Sequence, residues 1–330
     1  MQAVIQGYLD KVKVGWKQSH RNLAAFPILS GYPTALDYIT LDEALAGGFI
    51  EVTEVSQGGA VPELKVVNKS PRMVLILDGE ELVGAKQNRI VNTTILIQAN
   101  STTMIPVSCV EQGRWYYRSP SFASEERIMS PALRAMKAER VHRSVRETGT
   151  FRSDQGRIWE EISEKAHRRG TESSTMALAD IYEKERSSLT KYVKHFRPVE
   201  MQVGAVFLIN GKVVGLDSFG KPEPLTKVFK KLVESYALDA VDWSEMGKDD
   251  RPSGADVRTF LQAAQIAPVE KHSSVGLGTD CRMESEKLAG FALVHEEQVL
   301  HLSVFARGNA SSREHHGSRM QRFSRRRRTR

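Results

Sequence analysis

An α+β fold is the architecture that the 330-residue sequence predicts, on three observations. Strand-sized apolar runs bounded by turn residues recur from residue 11 to about 118. A helical, charged pattern fills about 128 to 197. After 201 come an Asn-Gly hairpin, two helices and two further strands. The elements arrive in blocks, which argues against an alternating β-α-β fold. No repeat of solenoid period is present.

The first block holds the runs 23–29, 49–55, 64–67, 73–77, 90–97 and 104–110. Their even spacing predicts an antiparallel β sandwich or small barrel. A short helix fits 40–46, with Thr40 as its cap and Gly47-Gly48 as its stop. In the second block Leu178, Tyr182, Glu185, Leu189, Tyr192 and Phe196 fall at spacings of four and three, the stripe of one long amphipathic helix. Residues 139–169 are so charged that we expect a solvated face and, in part, a mobile insertion. The third block starts with an apolar strand over 203–209. Asn210-Gly211 accepts the positive φ of a tight turn, and a second strand returns over 212–216. Leu225, Val228, Phe229, Leu232 and Tyr236 mark a helix, and another starts near Ser253. Strands are expected at 288–294 and 299–305. The resulting plan is a strand-rich half (1–120) carrying the polar motifs and a central charged helical insertion (121–200). A hairpin-helix-strand section (201–306) sharing the core and a disordered basic tail (307–330) complete it.

The net charge of +7 is a property of that tail, which holds nine arginines, Arg307 among them, against the single acid Glu314. The remaining chain is close to neutral, so attraction for a polyanion is confined to 307–330 and is expected to be weak and nonspecific. Two cysteines, Cys109 and Cys281, exclude a disulfide scaffold and leave no zinc-type spacing. The longest apolar runs have five residues, far short of the roughly 18 that span a bilayer. With no membrane segment and no secretory pattern at the first residues, the cytoplasm is the expected compartment.

Three stretches carry chemistry. Residues 73–77 are apolar on both faces, and the chain then turns polar at Asp78, Glu80 and Glu81. In an extended backbone Glu80 and Glu81 point to opposite faces, so at most one meets a given ligand. Lys86-Gln87-Asn88-Arg89 offers cations for a phosphate and amides for a base or sugar, and Arg89 can grip an anion bidentately. A solvated turn is the plainer reading. Cys109 and Glu111 alternate on one strand face beyond Pro106, and Arg114 with Trp115 pairs an anion contact with a stacking surface. Cys109 reads more simply as a small buried apolar group, since no histidine stands near it to activate it. Asp217, at the end of the hairpin, is more readily a capping or turn residue. Gly276-Leu277-Gly278 lacks the third glycine of a dinucleotide fingerprint, and no phosphate-loop or metalloprotease motif is present.

Leu77-Asp78-Gly79-Glu80, Gly84-Ala85-Lys86-Gln87-Asn88-Arg89 and residues 106–115 together look like the signature of the ARG (ADP-ribosylglycohydrolase)-and-rhodanese-phosphatase-superfamily-associated protein domain family. The stretch 211–220 and Tyr236-Ala237-Leu238-Asp239-Ala240 are similar to it as well, giving coverage of about 15 to 305 outside much of 120–175. The resemblance implies a ligand of ADP-ribose or NAD-derived nucleotide type. Lys86, Arg89 and Arg114 would neutralise its diphosphate, Gln87 and Asn88 would line it, and Trp115 would stack on the base. Glu80, with Glu111, would serve as general base in a hydrolase or would hold a divalent metal; the sequence specifies no cofactor. A non-catalytic binding or sensor module needs only the cations and Trp115. Nucleic-acid association through the tail is the third reading.

Overall fold

A computed structural model describes residues 1–307, except 33, 57, 59–61 and 245–251. Its elements run in chain order as follows. Helix α1 (Gln2–Leu9) precedes strands β1 (Val12–Val14), β2 (Gln18–His20), β3 (Leu23–Ser30) and β4 (Tyr38–Thr40). Helix α2 (Leu41–Ala46) leads into β5 (Ile50–Glu54), β6 (Glu63–Asn68), β7 (Met73–Ile76), β8 (Glu80–Gly84), β9 (Arg89–Val91), β10 (Ile95–Ile97), β11 (Ser101–Cys109) and β12 (Phe122–Ile128). Helices α3 (Pro131–Thr148), α4 (Gln155–Arg168) and α5 (Leu178–Val193) form the middle. The hairpin β13 (Gln202–Ile209) and β14 (Lys212–Phe219) is followed by α6 (Pro222–Asp242), α7 (Gly254–Ile266), β15 (Val269–Ser273), β16 (Thr279–Glu284), β17 (Leu288–His295) and β18 (Gln298–Ala306).

The fold is α+β, with three sheets. Six strands in the order β12-β8-β9-β11-β6-β5 make an antiparallel sheet that carries the polar motifs. Three short strands, β10-β7-β4, make a second sheet with one parallel pair, β4 on β7. The largest sheet has nine strands: β1-β3-β13-β14-β18-β17-β16-β15, with β2 also on β3. Strand β3 thus leaves the first block of the sequence and pairs along β13 from Leu23↔Ile209 to Leu29↔Gln202. One apolar cluster gathers Leu23, Leu75, Ile128, Leu178, Phe207 and Leu232, so strands and helices from all three blocks bury their faces together.

Local signals explain many elements. Thr40 accepts a hydrogen bond from the Glu43 amide while the Glu43 carboxylate accepts one from the Thr40 amide, a capping box. Asn210 and Gly211 take φ of 50° and 76°, the primed turn expected of that pair. The expected strand 90–97 divides into β9 and β10 because Asn92, Thr93 and Thr94 between them find polar partners inside the protein. Asn92 donates to the Phe151 carbonyl at 2.9 Å, Thr93 to Asp280 at 2.8 Å, and Thr94 meets His301 at 2.8 Å. Pro106 sits where β11 changes neighbour, from β6 (101–106) to β9 (107–109), and its missing N–H fits that break.

Most charged side chains of the stretch 139–169 are exposed, as expected of a solvated face, with His142 and Lys165 the buried exceptions. The stretch lies in α3, which packs on β17 and α6, and in α4, which packs on α5 and β11. Lys165 within it, and Arg134 and Lys137 just before it on α3, are buried against aspartates from outside their own helices. The tail reading falls on 308–330, outside the described residues. Arg307 belongs to the folded body, pairing with Glu139 at 2.8 Å and Glu284 at 2.6 Å. Among the described residues no helix is long and apolar enough to cross a membrane.

Candidate functional site

Strand β8 ends at Gly84, whose φ of 128° and crowded position make glycine necessary. A Cβ there would lie 2.5 Å from Ser119 Oγ and 2.8 Å from the Ser121 carbonyl. The chain turns through Ala85–Asn88 and returns as β9, setting Leu82 opposite Arg89. Strand β11 places Cys109 opposite Arg89 on the other side. Beyond it, residues 110–115 fold back over the turn. The two polar segments therefore meet.

Arg114 is the clasp between them. Its Nη1 donates to the carbonyls of Ala85 (2.7 Å) and Tyr116 (3.1 Å), and its Nη2 to Gly84 O (3.2 Å) and Asn88 Oδ1 (3.0 Å). Nη2 also pairs with Glu111 at 2.7 Å. Glu111 in turn accepts from the Asn88 amide at 3.1 Å and from Thr175 at 3.0 Å. Burial would raise the Glu111 carboxyl, but the Arg114 and Asn88 hydrogen bonds outweigh it and hold it below its ordinary value. Gln87 bridges the Glu111 carbonyl and Arg89 Nη1, the latter at 2.8 Å. Arg114 and Glu111 thus hold each other and the turn, with Arg114 Nε left without an acceptor.

Arg89 is different. It is fully buried, its Nε has no acceptor, and Nη2 has only Glu54 at 3.8 Å, beyond hydrogen-bond reach. Its guanidinium lies 5.5 Å from the Trp115 ring centre. Lys86 approaches the same ring at 5.4 Å and that of Tyr117 at 5.2 Å, and donates to the Gly58 carbonyl at 2.8 Å. Trp115, Tyr116 and Tyr117 are all exposed, at 46%, 60% and 48%. An exposed indole with two cations against its ring, flanked by two exposed tyrosines, results.

The remaining sequence candidates lie apart. Glu80 points away from this surface, accepting from the Leu77 amide at 2.7 Å and pairing with Lys231 of α6, which also holds Asp42. Its neighbour Glu81 faces the Asn88 side: Asn88 Nδ2 donates to it at 3.4 Å and Arg127 stands 3.8 Å away. Burial raises the Glu81 carboxyl to about 7, against the pull of Arg127. Cys109 is buried, and burial pushes its thiol up to about 11. Asp217 is neither cap nor turn. It receives Arg134 at 2.7 and 3.0 Å and Tyr236 at 2.9 Å, with His301 at 3.5 Å. Although burial alone would raise its carboxyl, Arg134 holds it far below the carboxylate range. Arg134 continues to Asp78 at 3.3 Å, and Asp78 pairs with Lys137. These groups form an internal ion-pair lattice under the β8–β9 hairpin.

Sequence reasoning passed over Glu54, Tyr116 and Tyr117, and named Glu81 only as the residue opposite Glu80. Only the consecutive aromatics 115–117 carried a readable signal; Glu54 comes from β5, whose neighbourhood to Arg89 is purely tertiary. A cavity of about 510 Å³ opens elsewhere, between α3, α4 and the end of β18, lined by Met136, Arg140, Arg157, Trp243, Phe305 and Arg307 among others.

Fold and site define an α+β protein whose sheets are locked by buried ion pairs and which presents an aromatic, cation-backed surface beside a clasped turn. The chain belongs to the ARG and rhodanese-phosphatase-superfamily-associated protein domain family, whose model matches residues 11–305, including the 120–175 region that the motif resemblance did not cover. No curated protein and no solved structure matches it.

Proposed function

We propose that the chain is a binding or sensor module for an anionic small molecule of nucleotide type, held at Lys86, Arg89 and the Trp115–Tyr117 surface. The observation that carries this is the buried Arg89 guanidinium, with N–H groups lacking acceptors directly beneath an exposed indole. An unsatisfied buried donor costs about 1–3 kcal/mol, which an incoming phosphate oxygen would recover once Trp115 swings aside. Trp115, Tyr116 and Tyr117 supply stacking area for a base. The family's name links it to ADP-ribosylglycohydrolases, which makes ADP-ribose and other NAD-derived nucleotides the first ligands to try. Binding is favoured over turnover because Glu80 and Glu111, the expected catalytic acids, are each held by a cation.

A hydrolase reading keeps one specific support. Glu81, sharing Asn88 with the clasp, has a carboxyl at about 7, suited to proton transfer at neutral pH. A divalent metal on Glu80 has less support, since Lys231 fills that role. The free, buried thiols fit a reducing cytoplasmic compartment. Contact with nucleic acid through 308–330 is a separate reading, tested by deleting that segment and comparing salt dependence.

The main test is titration of the full chain with ADP-ribose and NAD, followed by indole fluorescence and calorimetry. We expect quenching in the wild type, loss of binding in Arg89→Ala and Trp115→Ala, and retained binding in Glu80→Gln. Binding abolished by Arg140→Ala but not by Arg89→Ala would move the site to the α3–α4 cleft. Product formation lost in Glu81→Gln would replace the sensor reading with the hydrolase one.

A further inference from the structure

We propose that His142, Glu270 and His272 form a site for a divalent transition metal of the zinc class, with Glu284 as the carboxylate that orients His142. His142 stands on α3; Glu270 and His272 alternate on β15 and so share one face of that edge strand. His142 Nε2 lies 3.2 Å from Glu270 Oε2, and His272 Nε2 lies 3.8 Å from the same oxygen. All three donor atoms fall within 4.8 Å of one another. Tetrahedral zinc with bonds near 2.1 Å sets its ligand atoms about 3.4 Å apart, so small side-chain adjustments close the set. Nitrogen and carboxylate donors in this ratio match zinc, cobalt or nickel better than magnesium or calcium.

Two further features point to a cation. His142 Nδ1 is 3.3 Å from Glu284 Oε2. A proton on Nδ1 directed at that carboxylate leaves the Nε2 lone pair facing Glu270, the carboxylate–histidine–metal arrangement of metal sites. Meanwhile His272 Nε2 is shielded from solvent and has no hydrogen-bond partner. The cation now between these donors is the Arg146 guanidinium, one helical turn beyond His142. It reaches Glu270 at 2.5 and 3.1 Å and His142 Nε2 at 3.3 Å. Arg146 is half exposed, so it can leave toward solvent and vacate the donors. Three protein ligands leave a fourth position for water or an incoming group.

The experiment uses the full chain stripped with a chelator. Zinc chloride is titrated by calorimetry and cobalt(II) by visible absorption, which reports four-coordinate geometry. We expect one high-affinity site, lost in His272→Ala and in Glu270→Gln. Both residues lie on an edge strand, and thermal melting of the metal-free variants checks that they fold. Glu284→Gln should weaken binding about tenfold, as loss of an orienting carboxylate does. Arg146→Ala should tighten it roughly fivefold, the scale of a half-exposed ion pair removed as competitor. No binding by either wild type or Arg146→Ala overturns the proposal, as does binding undiminished in His272→Ala and Glu270→Gln.

Discussion

Arg114 and Arg89 stand 25 residues apart in sequence and do opposite things with the same side chain. The first meets acceptors from four other residues and a carboxylate, and holds a turn shut. The second leaves both Nε and Nη2 without acceptors, where Arg114 leaves Nε alone. The sequence showed two arginines in polar stretches and had no means of telling them apart, because the difference lies in carbonyl positions set by the turn. Glu80 and Glu81 were separable in principle, since strand alternation sends them to opposite faces, and the structure does so. Which face held Lys231 and which held Asn88 was not legible. Glu81 yields a prediction at this scale. Its folded-state value of about 7 exceeds the ordinary 4.5, so between those values the native state retains a proton that the unfolded chain has lost. Stability therefore falls as pH rises through that window, and the penalty is fully present above it, on the order of 3 kcal/mol. Glu81→Gln should be more stable than wild type at pH 8, with the gap closing by pH 4, in thermal melts across the range.

Among the elements, those with a strong local rule were readable: α2 with its capping box, the Asn210-Gly211 hairpin, α5 with its apolar stripe, and β17 and β18. Strands β15 and β16 escaped notice, since Glu270, Lys271 and His272 give an edge strand no apolar rhythm. The sequence carried no expectation for Arg134 and Lys137 of helix α3, which face inward; the counter-ions of Arg134, Asp78 and Asp217, lie 56 and 83 residues away in sequence. Composition does not reveal whether a charge has a distant partner. At this scale we expect Arg134→Met to destabilise the protein by about 3–5 kcal/mol in urea unfolding, because it strands Asp217 in the interior without its main partner. A loss under 1 kcal/mol would mean that water already reaches Asp217 and that the lattice is not dry.

For the whole molecule, the block order strands–helices–strands was correctly read as α+β, but the blocks do not stay separate in space. The expected N-terminal sandwich is distributed over three sheets, and β3 sits between β1 and β13 in the largest of them. Pairings of such long sequence separation slow folding, so refolding from urea should take milliseconds to seconds despite the helical content. Stopped-flow fluorescence measures this, and a microsecond phase accounting for the whole amplitude would contradict it.

That placement of β3 has a bearing on biosynthesis. Leu23–Ser30 is almost entirely apolar and leaves the ribosome early, but its long-range partner, Gln202–Ile209, follows some 170 residues later. At typical elongation rates of about 5–20 residues per second, the segment waits on the order of ten seconds or more with a bare hydrogen-bonding edge. During that interval the nascent chain is a natural client for chaperones, and a cell short of them should accumulate this protein in inclusion bodies.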